Sequence, residues 1–391
     1  MRILFAPLPQ VSHYFHLVPL GWACRAAGHE VRVAAQPALA EHITRSGLTG
    51  VPLSEVAADG DWLKVDMAAL TALPPDQRLR KLREVRTRQF VAMADAAADD
   101  LVSFAKSWQP DLVVADPLNL AAPLVSETLG VPLVHHLWGP DVARHLGYPG
   151  LGLPVAEWPS ELIELYERFG LEIRPGYARH TIDPCPDSLQ SAEVPDRIPM
   201  RYVPYNGNSP LPDWLRQPAE RPRVCVSWGY THNPAGGGGS RLPEVVAALA
   251  AFDVEVVVAV AKLDRELLGD LPADVRVVAE LPLQLLLPTC SAVVHHGGGG
   301  TMFTAAVYGV PQVVVIPDAI AAALLTGPLS DCRIGVCLES DASVDEIKAA
   351  VGSVLVDSAQ EGIQRLRKEI LATPTPAAIV PRLESLVAQR S

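Results

Sequence analysis

Ala292-Val293-Val294-His295-His296-Gly297-Gly298-Gly299-Gly300-Thr301 is the stretch that decides the fold. Ala292 to His295 has the small and β-branched side chains of a buried strand, and Thr301 to Ala306 opens a helix. Gly297 to Gly300 therefore form a strand-to-helix turn. Glycine lets a backbone approach a phosphate closely, and the N–H groups at a helix start supply donors at the positive end of its dipole. A histidine just before the turn adds a ring N–H for a diphosphate oxygen. No lysine follows in the GK[ST] pattern, which excludes a P-loop NTPase. Glycine runs are weak signals in isolation, and a turn without a ligand is the bland alternative. A second run, Gly236 to Gly239, follows a strand at Val224–Ser227. It reads more readily as a surface loop than as a wall of the same site.

Outward from this turn, short apolar runs alternate with helical patterns, the mark of parallel sheets covered by helices. Strands are expected at Arg2–Ala6, Val31–Ala34, Leu112–Ala115 and Val131–Val134, with helices at Phe15–Ala27 and Asp76–Trp108. A proline-rich, poorly periodic region follows from Gly150 to Gln217. A second block has strands at Val224–Ser227, Val254–Val260, Val275–Val278, Ala292–His295 and Gln312–Ile316. From Val344 the chain reads as helical, interrupted near Pro374-Thr375-Pro376. No tandem repeat is present, but the halves look like two Rossmann-type α/β units in series. The expected division is 1–205 for a first domain, 206–220 for a linker, 221–373 for a second domain and 374–391 for a C-terminal helix. Open parallel sheets bind ligands at strand carboxyl ends, which places the expected site in the cleft between the units.

The 391 residues are 49% hydrophobic and 19% charged, enough to fill two cores. The net charge of −12 and the lack of any basic block argue against nucleic acid or an anionic membrane as partner. Cysteines at 24, 185, 225, 290, 332 and 337 form no CxxC pair, so neither zinc nor a disulfide framework is expected. The N-terminus does not resemble a signal peptide, because proline follows within seven residues. Val310 to Leu329 is nearly apolar, but Gln312, Asp318 and its prolines favour a strand and buried helix over a membrane span. A cytoplasmic protein is expected.

Leu281-Pro282, and then Leu287-Pro288-Thr289-Cys290-Ser291 running into the glycine turn, closely resemble the donor-nucleotide signature of family 1 GT-B glycosyltransferases. The resemblance is to the actinobacterial enzymes that glycosylate macrolides and aromatic polyketides, and it covers nearly the whole chain. Ile182-Asp183-Pro184-Cys185-Pro186 and Tyr202-Val203-Pro204-Tyr205-Asn206-Gly207 match the family's interdomain entry, and Pro374 to Leu386 matches its C-terminal helix, which returns to the first domain. The resemblance implies that His295 and the amides of Gly297, Gly298, Gly299, Gly300 and Thr301 bind a diphosphate. It also implies that Leu281 borders the base and that Ser227 and Gly229 lie near the nucleotide. The implied reaction is inverting and metal-independent, with no resident cofactor. The implied substrates are a dTDP-linked sugar and a polyketide-like aglycone. The sequence leaves the oligomeric state open, a homodimer included.

Pro9-Gln10-Val11-Ser12-His13 reads as a loop between the first strand and the first helix, which puts His13 at a strand carboxyl end. An imidazole there can accept a proton from an acceptor hydroxyl near neutral pH. On residue type alone, a capping or exposed histidine is the commoner outcome. The resemblance places the general base at this position. His16, one turn later, reads as a packing or capping residue. Asp116 ends the strand Leu112–Ala115, from where it can orient His13 or cap the helix near Leu118, roles that are compatible. Asp111 reads as structural. Trp138 follows Val131–Val134 and either stacks on a bulky acceptor or packs in the core.

The family's pattern breaks after Pro317. An Asp-Gln pair that holds donor-sugar hydroxyls is replaced by Ala321 and Ala322. Alanine offers no side-chain hydrogen bond, and each such buried contact is worth about 1.5–3 kcal/mol. Asp318 could substitute from another angle. Three readings follow: a donor with few hydroxyls, a retained fold that has lost transfer and serves as an auxiliary partner or in other acid–base chemistry, or an artificial replacement of the pair.

Overall fold

The computed structural model describes residues 1–55, 73–228, 241–261, 268, 271–316, 334–339, 341–356 and 358–389. Gly229, Gly236 to Gly239, Asp318, Ala321 and Ala322 lie outside the described residues.

The chain folds as two compact units. The first comprises Met1–Pro184, Ser191–Met200 and Pro374–Ser391, and the second comprises Cys185–Gln190 and Arg201–Thr373.

The first unit is built on a wholly parallel sheet. Its strands are β1 (Arg2–Ala6), β2 (Glu30–Ala35), β3 (Gly50–Pro52), β4 (Leu112–Ala115), β5 (Leu133–His136), β6 (His180–Asp183) and β7 (Arg197–Pro199). They lie in the order β3-β2-β1-β4-β5-β6-β7. The chain reverses its direction of travel across the sheet between β1 and β4, the point where doubly wound sheets open a crevice. Helix α1 (Val11–Ala26) follows β1, α2 (Pro75–Trp108) precedes β4, and α3 (Ala122–Leu129) and α4 (Ser160–Arg168) follow. Leu4, Val113 and Leu133 on one face of the sheet pack with Ala98, Leu101 and Leu124 from the helices.

The second unit repeats this plan. Its parallel strands are β8 (Arg223–Trp228), β9 (Glu255–Val260), β10 (Arg276–Ala279), β11 (Ala292–His295), β12 (Gln312–Val315) and β13 (Gly335–Leu338), in the order β10-β9-β8-β11-β12-β13. Its helices include α5 (Leu242–Leu249), α6 (Gly299–Tyr308), α7 (Val344–Val354) and α8 (Ser358–Ala372). A capping box opens α7, with Ser343 and Glu346 bonded reciprocally. The left-handed Gly309, at φ 72°, closes α6. Glycine is also required at 335, where an added Cβ would stand 2.1 Å from the carbonyl oxygen of Gln312.

Several expectations are corrected. The proline-rich, poorly periodic region 150–217 contains α4 and the strands β6 and β7, which gave no signal in the sequence; the two strands complete the first sheet. β6 and the edge strand β7 are short and carry proline or charge, so they give no apolar run. Helix α1 begins at Val11 rather than Phe15, which places His13 in its first turn and not in a loop. The segment expected as a linker from 206 is anchored to the second unit. The side-chain oxygen of Asn206 lies 3.1 Å from the Thr304 hydroxyl, and its backbone N–H donates to Gln284 at 2.9 Å. The guanidinium groups of Arg223 and Arg276 both lie against the ring of Trp214, at 5.1 and 4.5 Å from its centroid. Glu255 holds both arginines, at 2.8 and 3.7 Å.

The last helix, α9 (Pro376–Ala388), packs on α1 within the first unit. Glu384 on it reaches His29 at 3.0 Å. No helix among the described residues is long and apolar enough to cross a membrane.

Candidate functional site

In the first unit the candidate residues gather where β1 and β4 end. Helix α1 starts without a side-chain cap, and its first turn carries His13. Asp116 directly follows β4, whose Ala115 pairs in register with Ala6 of β1. The His13 ring donates from Nδ1 to Oδ2 of Asp116 at 2.7 Å. The other carboxylate oxygen accepts the N–H of Leu118 at 2.8 Å, so Asp116 orients the ring and organises the following turn together. The aspartate is 2% exposed and the histidine 9%. With Nδ1 committed to the carboxylate, Nε2 is the nitrogen left to accept a proton.

Trp138 is half-buried and lies against this base, its ring centroid 4.3 Å from that of His13 at an interplanar angle of 35°. The expected choice between an acceptor platform and a core residue did not include this contact. Burial, and then the charges of His136 and His13, hold His16 well below its ordinary value. Burial likewise pushes His135 and His136 down to about 4. Neither member of this pair was singled out from sequence, although two adjacent histidines ending an apolar strand are a visible signal.

In the second unit the glycine turn lies at the corresponding reversal, between β8 and β11. His295 pairs in register with Ser227, which is buried on β8. Leu281 is half-buried in the segment after β10, where it packs with the cluster that contains Leu283 and Leu286. Gly297 takes a φ of 90°, Gly298 is the N-cap and α6 begins at Gly299. No side chain caps this helix. The amides from Gly298 to Thr301 therefore have no intrahelical acceptor and form a concentrated set of donors.

The His295 side chain is not among those donors. It is fully buried, its Nδ1 accepts the N–H of Gly297 at 3.1 Å, and its Nε2 donates to Oε1 of Gln312 at 2.9 Å. Neither ring nitrogen is left for a phosphate, in contrast to the expectation that this ring binds one directly. The turn is also held from its other side. Tyr202 donates to the carbonyl of Gly300 at 3.2 Å and lies 3.1 Å from the hydroxyl of Thr304. Thr304 in turn donates to the same carbonyl at 2.6 Å. Gln312 was legible only as one amide in a run of valines.

Comparison with known proteins bears on both units. Residues 22–229 match the model of the erythromycin biosynthesis protein CIII-like N-terminal domain, and 243–386 match its C-terminal domain. The chain is 35% identical to 3-alpha-mycarosylerythronolide B desosaminyl transferase of Saccharopolyspora erythraea, over 100% of this chain and 99% of that protein. It is 38% identical to tylactone mycaminosyltransferase of Streptomyces fradiae, over 99% of this chain and 93% of that protein. Among solved structures, spinosyn rhamnosyltransferase SpnG complexed with thymidine diphosphate superposes with a TM-score of 0.81 at 31% identity, covering 98% of this chain and 100% of that one.

Proposed function

The chain belongs to the erythromycin CIII-like family of GT-B glycosyltransferases, and from that premise we propose that it transfers a deoxysugar from a dTDP-linked donor to a polyketide-like alcohol, with inversion at the anomeric carbon. The observation that carries this reading is the buried 2.7 Å contact of His13 with Asp116. The carboxylate holds the ring with Nε2 free, and stabilises the imidazolium that forms when Nε2 takes the acceptor's hydroxyl proton. The resulting oxygen nucleophile attacks the anomeric carbon from the face opposite the leaving group. The C–O bond to the diphosphate breaks, and dTDP departs with that electron pair. Its growing negative charge meets the uncapped amides of Gly298 to Thr301. No resident cofactor is needed, because the nucleotide sugar is a co-substrate.

The choice of dTDP is supported by the thymidine diphosphate bound in SpnG, and that of a deoxysugar by the relatives named for desosamine and mycaminose transfer. Ala321 and Ala322 fit a donor with few hydroxyls to hold. The test is transfer by His13→Ala with an accepted substrate pair. A loss of transfer with dTDP binding intact is expected, and activity near that of the unsubstituted enzyme would refute the role of the base.

The same two alanines favour a second reading, a GT-B protein that has lost sugar transfer and acts as an auxiliary partner or in other acid–base chemistry. Calorimetric titration with dTDP, UDP and their sugar conjugates separates the two. Absence of nucleotide binding would favour the second.

A further inference from the structure

The first residue of β12 is the polar exception in a strand that otherwise reads Val-Val-Val. Gln312 is fully buried, and both ends of its amide are used. Its Nε2 donates to the carbonyl of Met302, in the first turns of α6, at 3.1 Å. Its Oε1 accepts from Nε2 of His295 at 2.9 Å. The flipped amide would set its oxygen against the Met302 carbonyl and its NH₂ against a ring N–H, so only one orientation satisfies all four groups. Gly335 lets β13 close directly over the Gln312 backbone, which leaves the residue no room to shift.

That fixed amide determines the protonation of the ring beside it. A proton on Nε2 is required by Gln312, and a bare Nδ1 is required by the Gly297 N–H that it accepts at 3.1 Å. Burial pushes His295 down to about 3, so the ring is neutral and can satisfy both demands. The N–H of Gly297 is thereby turned inward, with φ 90° at that glycine, and the amides from Gly298 onward are the ones that remain.

We propose that Gln312 is a positioning residue of the diphosphate turn: it locks His295 as the Nε2–H tautomer, and through the Gly297 N–H it sets which amides face the phosphate. The proposal rests on the reading of this turn as a nucleoside diphosphate site. His295 then acts on the phosphate indirectly, as the strut between Gln312 and the backbone.

Gln312→Met tests it. The thioether keeps the side chain's length but removes both the acceptor for the His295 Nε2–H and the donor to the Met302 carbonyl, so the ring proton is free to move to Nδ1, where it faces the Gly297 N–H. In ¹⁵N spectra of histidine-labelled protein, the unsubstituted chain should show His295 with a protonated Nε2 and a bare Nδ1. The variant should show the Nε2-protonated form lost or mixed with the Nδ1-protonated tautomer. Affinity for dTDP should fall about tenfold or more, the equivalent of one hydrogen bond to a charged group. Affinity for thymidine, which has no phosphate, should change by less than about twofold, an asymmetry that general loosening of the fold would not give. Should Gln312→Met fail to fold, Gln312→Leu, which likewise removes the acceptor without adding charge, should show the same dTDP-selective loss. The proposal is overturned by an Nδ1–H tautomer in the unsubstituted protein, or by unchanged dTDP affinity in a folded variant. If the unsubstituted protein binds no dTDP at all, the nucleotide reading itself fails, and that outcome is distinct from a loss confined to the variants.

Discussion

Acidification from pH 7 to pH 5 should destabilise the first unit more than the second. His16, His135 and His136 belong to the first unit and are 6%, 8% and 2% exposed, and the second unit contributes His295, held at about 3, which costs that unit about 2 kcal/mol over the same interval. Burial holds His135 and His136 at about 4 in the folded chain, against about 6.5 for an unfolded histidine. The unfolded state therefore binds more protons throughout this interval, so stability rises with pH. The contribution is fully present above about 6.5 and is lost progressively as the pH falls towards the folded value. At pH 5 the loss is about 2 kcal/mol per histidine, about 4 kcal/mol for His135 and His136 together, with His16 adding in the same direction. Typical domain stabilities of about 5–15 kcal/mol make that a large fraction. Carboxylates begin to contribute only below about pH 5, so the upper part of the window belongs to the imidazoles. Urea unfolding followed by pulsed hydrogen exchange, read on peptides from each unit, measures the two separately. A first unit that loses less than about 1 kcal/mol between pH 7 and pH 5 would refute the argument.

Two further outcomes follow from side-chain geometry. In Asp116→Asn the Leu118 N–H should keep the amide oxygen, turning the NH₂ towards Nδ1 of His13 and moving the ring proton to Nε2. Transfer should then fall by about 10³-fold or more with dTDP affinity unchanged, and retention of more than a tenth of the rate in steady-state assays would contradict it. Trp214→Ala removes the ring shared by Arg223 and Arg276 and should lower the urea stability of the second unit by about 2 kcal/mol. An unchanged midpoint would show that the paired arginines and Glu255 hold without it.

The central strands were legible because a strand buried on both faces is a plain apolar run, as in Leu112–Ala115 and Ala292–His295. The peripheral strands β3, β6, β7 and β13 were not, since Gly50–Pro52 and Arg197–Pro199 are short, end in proline and give no periodicity. The proximity of His13 and Asp116 followed from the ends of two strands that parallel sheets place side by side. The contact of Trp138 with His13 joins two segments whose approach depends on the folded backbone, and no spacing in the chain encodes it. The same holds for His295: its place before the glycines suggested a phosphate ligand, and only its pairing with Gln312 across the sheet shows the ring turned inward. Ser227 and Leu281 were placed by family likeness rather than by their own chemistry.

Packing of α9 on α1 also bears on how the protein is made. The first unit is discontinuous, since Pro374–Ser391 completes it after the second unit, Arg201–Thr373, has been translated. At about 5–20 residues per second, the ribosome spends about ten seconds or more on that intervening stretch. During this interval α1, the helix that carries His13, lacks its partner. The apolar residues that will dock there, Ile379, Val380, Leu383 and Leu386, do not yet exist. The second unit can mature as soon as its own chain has emerged, so the nucleotide half should be finished before the half that carries the base. A nascent chain stalled before residue 374 should therefore expose an apolar face on α1 and attract chaperones there.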